Sequence, residues 1–240
     1  MKKIVVTLIA LLTLMSSVSY IFAEETNERQ SDNGIAYIEE NYANPNGVSV
    51  ANGNAPTLYS DTKYKNQEPL RIMSKTLSIT KYYQDNYSDI MYEDGDTIAQ
   101  SGCLVTSLTM AQNFLKGQNK NPSQINASLG NDACPLKWYY AATDLGLTVE
   151  LLQNTSSTSY VYDEAINYIL QDIPLIVGFK KWSSYANDYT YHYVLAKGFN
   201  IYGSSTTIYI NDPLYSNNYT TLSSYINAGW SVCQIAAYSY

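Results

Sequence analysis

Histidine occurs once in these 240 residues, at position 192, and cysteine three times, at 103, 134 and 233. One imidazole cannot build a zinc centre of the usual clustered His and Cys ligands, so that chemistry is excluded and no metal or cofactor is expected. Basic side chains are scarce as well: 14 Lys and Arg stand against 21 Asp and Glu, a net charge of -7. An acidic chain with few basic clusters binds nucleic acid and anionic lipid poorly, so no nucleic-acid or membrane-surface partner is expected. Internal repeats are absent from the sequence.

The long apolar run sits at the amino terminus. Lys2 and Lys3 precede IVVTLIALLTLM, then SSVSYIFA, and the run stops at Ala23 before Glu24-Glu25. A short basic start, an apolar middle and a small residue at the boundary read as a signal peptide over 1-23. The protein is then secreted or held at the cell surface. The same uncharged stretch is about long enough to span a bilayer, which leaves an uncleaved anchor as the alternative. Cleavage removes Lys2 and Lys3 and no acid, taking the charge from -7 to -9. From Glu24 to Lys75 the chain is polar and rich in Asn, Glu and Ser, a linker or a pro-segment. Residues 76-240 remain for one domain of about 160 residues, ample for a single core and too few for two large domains.

Two places in that domain carry chemistry. In SGCLVTSLTMAQNFL, residues 101-115, Cys103 stands where a glycine-bearing turn meets an amphipathic helix marked by Leu104, Leu108, Ala111 and Leu115. The positive end of a helix and a nearby imidazolium both favour thiolate over thiol, and thiolate is the attacking species. The second place is Tyr191 to Tyr215. His192, Val194 and Ala196 alternate with Tyr193, Leu195 and Lys197, and after a turn at Gly203 a second strand runs from Thr206 to Asn211 before Asp212-Pro213. If these strands pair antiparallel, His192 and Asp212 become neighbours. A carboxylate can then hold one imidazole nitrogen while the other faces the thiol. A small buried cysteine, a strand histidine and a turn aspartate are the ordinary readings of each residue alone; the order Cys, His, Asp with strand-end placement favours the catalytic one.

The blocks SGCLVTSLTM, PLIVGF, HYVLAKGF and YINDPLYSNNYTTLSSY resemble, in order and spacing, the bacteriocin-processing (double-glycine leader) cysteine peptidases and their secreted stand-alone relatives, in the papain-like clan. The resemblance covers roughly Tyr82 to Tyr240. It implies a thiol peptidase acting on a peptide or protein, with Cys103 as nucleophile, His192 as general base and acid, and Asp212 as orienting residue. The family also uses a glutamine ahead of the cysteine to hold the oxyanion together with the cysteine amide. Gln84 in KYYQDNYSD resembles that residue, and Gln100, three positions before Cys103, is the alternative. Leu104 departs from the pattern, which has glycine or alanine there, and its bulk would narrow the site. Two other readings stay open: an amidase of wall peptides, similar in chemistry to the NlpC type, and a surface or toxin-associated binding module without turnover.

Three thiols in an oxidising compartment usually resolve into one bridge and one leftover, so Cys134 and Cys233 either pair or stay as two buried thiols. Around the two chemical anchors the sequence predicts helices over Pro122 to Leu129 behind Asn121, from Pro135 to Gly146, and from Tyr160 to Ile173 before Pro174. Strands are predicted at Leu175 to Phe179, His192 to Ile201, Thr206 to Asn211 and Ser231 to Tyr238. Helices first and strands after them argue for an α+β fold with the Cys103 helix on an antiparallel sheet. The resemblance implies the same papain-like arrangement.

Overall fold

A computed structural model describes residues 72-91, 95-152, 157-216 and 219-240. The expected signal peptide or anchor, and the linker or pro-segment up to residue 71, lie outside the described residues. Strand β1, Ile72–Thr76, spans the expected boundary at residue 76.

The other strands are β2 (Thr148–Leu152), β3 (Leu175–Ser183), β4 (Asp188–Tyr202), β5 (Ser205–Asn211) and β6 (Ser231–Ser239). All of their pairings are antiparallel, in the order β1-β4-β3-β6-β2, with β5 on the other edge of β4. Among the described residues six helices accompany the sheet: α1 (Ile98–Ser101), α2 (Cys103–Lys116), α3 (Pro122–Leu129), α4 (Trp138–Leu145), α5 (Thr158–Leu170) and α6 (Leu222–Asn227). The molecule is α+β, with a six-stranded antiparallel sheet and the nucleophile-bearing helix packed against it, as in papain-like peptidases.

The sheet is covered on both faces, which explains why HYVLAKGF reads as a nearly unbroken apolar run. Alternation along β4 sends Tyr193 and Leu195 into a core with Leu104, Leu108 and Ala111 of α2 and Ala141 of α4. Val194 and Ala196 point the other way, into a core with Val161, Ala165 and Ile169 of α5 and Tyr225 of α6. Each fully buried aliphatic or aromatic side chain in these layers contributes roughly 1.5–3 kcal/mol relative to exposure. A hydrogen bond also ties helix to sheet: Ser107 Oγ, one turn along α2 from Cys103, donates to the Tyr193 carbonyl at 3.3 Å.

Most predicted elements are present, with differences at their ends. Asn121 caps α3 through a capping box with Gln124. No helix starts at Pro135. Ala133 and Leu136 instead form an isolated bridge, and α4 begins at Trp138 and ends at Gly146 in the left-handed conformation. Helix α5 stops at Leu170 rather than Ile173, because Asp172 turns the backbone to φ 63°. Among the described residues Cys103, Cys134 and Cys233 are all buried. Buried within a packed domain, each acts as a small apolar side chain and needs no bridge to be accommodated.

Candidate active site

Cys103 is the first residue of α2, and the turn before it is built to put it there. Thr97 caps α1: its side chain accepts from the Gln100 amide while Gln100 Oε1 accepts from the Thr97 amide at 3.0 Å and from Thr97 Oγ1 at 2.9 Å. The single turn of α1 then runs through Gly102 into α2, with Gly102 N donating to the Ile98 carbonyl at 2.8 Å. A Cβ on residue 102 would lie 2.4 Å from that carbonyl oxygen and 2.5 Å from Ile98 Cγ2. Only glycine fits, and the reason is space rather than backbone angle, since its φ is -88°. Cys103 thus stands at the amino-terminal end of α2, where the helix dipole favours negative charge.

The antiparallel pairing of β4 with β5 brings the two other residues together. Leu195 is registered on Asn211, and a bulge between Ala196 and Gly198 adjusts the fit. His192 Nε2 lies 2.9 Å from Asp212 Oδ1. Asp212 is fully buried and has three partners: His192, the Leu214 amide at 2.9 Å on the same oxygen, and the Tyr225 hydroxyl at 2.6 Å on Oδ2. A carboxylate accepts only, so Nε2 carries the proton and Nδ1 is the nitrogen left for the thiol. Nδ1 is buried and makes no well-formed hydrogen bond, while Cys103 acts on the imidazole as both hydrogen-bond and charge partner.

The charges follow from these contacts. Burial alone would strip the proton from His192; the bond to Asp212 and then the interactions with Cys103 overcome that and raise its pKa from 6.5 to about 10. Burial would likewise favour a neutral Asp212, but His192, Tyr225 and the Leu214 amide hold its pKa below 3.8. The pair is an imidazolium facing a carboxylate, with the Cys103 sulfur on the far side of the ring. Cys103 is 0% exposed and His192 1%, so both reactive groups are buried in the structure.

The two glutamines are separated by their surroundings. Gln100 stands on the turn that presents Cys103 and uses its carboxamide oxygen on the Thr97 cap. Gln84 is fully buried in a 3-10 turn, Gln84–Asn86. Its backbone amide donates to the Pro213 carbonyl at 2.9 Å, next to Asp212. Its carboxamide nitrogen donates to the Ala99 carbonyl at 3.0 Å and to the Ile98 carbonyl at 3.4 Å, at the base of the Cys103 turn, and Oε1 is buried without a partner. Gln84 thus joins the segment carrying Asp212 to the segment carrying Cys103. Leu104 points into the core with Leu108, so its bulk is absorbed by packing.

Residues 76–233 match the model of the Peptidase_C39 like family. The chain belongs to that family. No curated protein matches it. Membership in the Peptidase_C39 like family makes it a relative of the bacteriocin-processing cysteine peptidases with a papain-like fold, and cysteine-type peptidase activity is the activity this family suggests. Cys103, His192, Asp212 and Gln84 all fall within the matched residues.

Two residues at the site in this Peptidase_C39 like chain escaped the sequence reading. Tyr225 stacks on His192, with ring centroids 5.4 Å apart and planes at 27°, and Trp230 meets His192 edge-on at 6.5 Å. Both follow Asp212 on α6 and the turn after it. Tyr225 is one of 25 tyrosines, and no pattern of period or spacing distinguishes it.

Proposed function

We propose that this protein is an exported thiol peptidase that hydrolyses peptide amide bonds with Cys103 as nucleophile, His192 as base and acid, and Asp212 as orienting residue. The observation that carries the reading is the buried His192–Asp212 pair, 2.9 Å apart, whose remaining nitrogen is left to the thiol at the start of α2. His192 rests as the imidazolium, its Nδ1 proton drawn from the Cys103 thiol, and the resulting thiolate attacks the carbonyl carbon of the scissile amide. Negative charge on the carbonyl oxygen is held by the Cys103 amide and by the Gln84 carboxamide, whose longer bond to Ile98 is the one given up. The imidazolium then protonates the leaving amine. In the second half His192 draws a proton from water, the hydroxyl attacks the thioester, and the acid departs with the thiolate restored.

Export rests on the amino-terminal pattern of Lys2, Lys3, the apolar run and Ala23. Among the described residues no helix is long and apolar enough to cross a membrane.

The test is to incubate the purified chain and its Cys103→Ala variant with a diverse peptide library and with purified cell wall, and to read new termini by mass spectrometry. New peptide termini from the wild type alone are the expected result. Cleavage confined to wall peptides would move the substrate to the amidase class, and identical products from both proteins would refute a cysteine mechanism.

A further inference from the structure

The hydroxyl of Tyr225 is placed where a tyrosine used only for packing would not need it. Its ring stacks on Phe179 at 4.7 Å and 16°, and on His192 at 5.4 Å; Tyr219 and Trp230 close its edges at 4.8 and 5.8 Å. Phe179 itself stands directly opposite His192 in the pairing of β3 with β4. These contacts fix the ring, and with it the phenolic oxygen, 2.6 Å from Asp212 Oδ2. Tyr225 is fully buried, so water cannot replace that bond.

One side chain therefore touches both members of the pair. Asp212 has two oxygens: Oδ1 serves His192 and the Leu214 amide, and Oδ2 is held by Tyr225. Without the phenol the carboxylate keeps its backbone anchor at Oδ1 but is free to rotate about that contact, and Oδ2 becomes a buried acceptor without its donor. Tyr219 and Trp230 pack on the Tyr225 ring, and among the described residues Tyr225 is the side chain that donates to Asp212 Oδ2.

We propose that Tyr225 is a positioning residue for the thiol chemistry: its hydroxyl locks Asp212 in the orientation that holds His192, while its ring sets the plane of the imidazole. This rests on the peptidase reading above for its kinetic consequence, though not for its structural one. In the step concerned, no bond of Tyr225 is made or broken. Its proton stays on the phenol throughout, and the hydrogen bond lowers the energy of the carboxylate that faces the imidazolium.

The experiment uses Tyr225→Phe, which keeps the ring and its stacking contacts and removes only the donor. Proton NMR reads the Nε2–H resonance of the single histidine, in the full chain and in a Cys103→Ala background where turnover is absent. That resonance disappears on acidification once Asp212 is protonated, and the proposal predicts its loss about one pH unit higher in Tyr225→Phe, the scale of one charged hydrogen bond. On a cleaved peptide, kcat should fall about tenfold with KM within about twofold, since the substrate does not touch Tyr225. Thermal unfolding with a single transition checks that the variant is folded. Resonance loss at the wild-type pH in a folded variant would overturn the proposal, and so would a wild-type kcat. Were the wild type inactive on every peptide, the peptidase reading would fail while the NMR arm still decided the role of Tyr225.

Discussion

His192 and Asp212 are 20 positions apart in sequence and 2.9 Å apart in space, joined across β4 and β5 in an interior from which water is excluded. An ion pair in such a place is costly unless both partners are bound on every side. Here Asp212 has the Leu214 amide and Tyr225 as well. That relationship sets the charge of the site and most of its measurable consequences.

Titration of the imidazole comes first. With one histidine in the chain, a carbon-bound proton of His192 can be followed by NMR without assignment work, and its midpoint should lie near pH 10 rather than 6.5. Asp212→Asn should lower the midpoint most and Cys103→Ala less, the order in which the two partners act on the ring. A midpoint near 6.5 in the wild type would mean that the pair is not formed.

Stability should track the same proton. Because His192 holds its proton more tightly when folded, its contribution is complete below pH 6.5 and is lost as pH rises through about 10. Asp212 works in the opposite sense: held below 3.8, it contributes above that pH, and the contribution is lost as acid takes the pH below it. Melting temperature should thus decline between pH 7 and 10, less steeply in Asp212→Asn; equal slopes would contradict the linkage.

Gly102→Ala tests the turn that carries the nucleophile. The added carbon would stand 2.4 Å from the backbone oxygen of Ile98, which cannot rotate away as a side chain could. The cost should be about 1–3 kcal/mol, seen as a loss of several degrees in melting temperature. Activity should fall further than stability, because the displacement is delivered to Cys103. An unchanged melting temperature would show that the junction of α1 and α2 yields easily.

The thiols distinguish activation from access. Cys134 and Cys233 are 6% and 5% exposed and Cys103 is 0%, so a reagent guided only by exposure labels Cys103 last. With the imidazolium beside it, Cys103 should instead be alkylated first by iodoacetamide at pH 6, and His192→Ala should slow that reaction. Peptide mapping after a short pulse locates the label. Unfolding without reductant should then expose Cys134 and Cys233 to the reagent, and continued protection of both would show that a bridge joins them.

Much of this site was legible because its residues sit in long, regular elements. The apolar spacing of α2 and the alternation of β4 are strong periodic signals, and the turn at Gly203 set the antiparallel pairing that joins His192 to Asp212. What was missed is short. Strand β1 is five residues at the end of a polar stretch, and β2 is five residues held by pairing with β6. Helix α6 is six residues, LSSYIN, with little helix propensity of its own and a stability that comes from Leu222 and Tyr225 entering the core. Tyr225 could not be singled out for the same reason: its partners, Phe179, His192 and Asp212, converge only in three dimensions. Gln84 was reached through family resemblance, since a lone glutamine in KYYQDNYSD carries no mark of burial.

The central claim is that Cys103, armed by His192 and Asp212, becomes covalently acylated by a peptide. Rapid acid quenching of the protein mixed with an activated peptide ester, followed by intact mass and peptide mapping, measures this directly. The account predicts an acyl adduct on Cys103 that forms quickly in the wild type, on the order of 10²-fold more slowly in Asp212→Asn, and not at all in Cys103→Ala. An adduct on Cys134 or Cys233, or one that forms at Cys103 equally fast without His192, would contradict it.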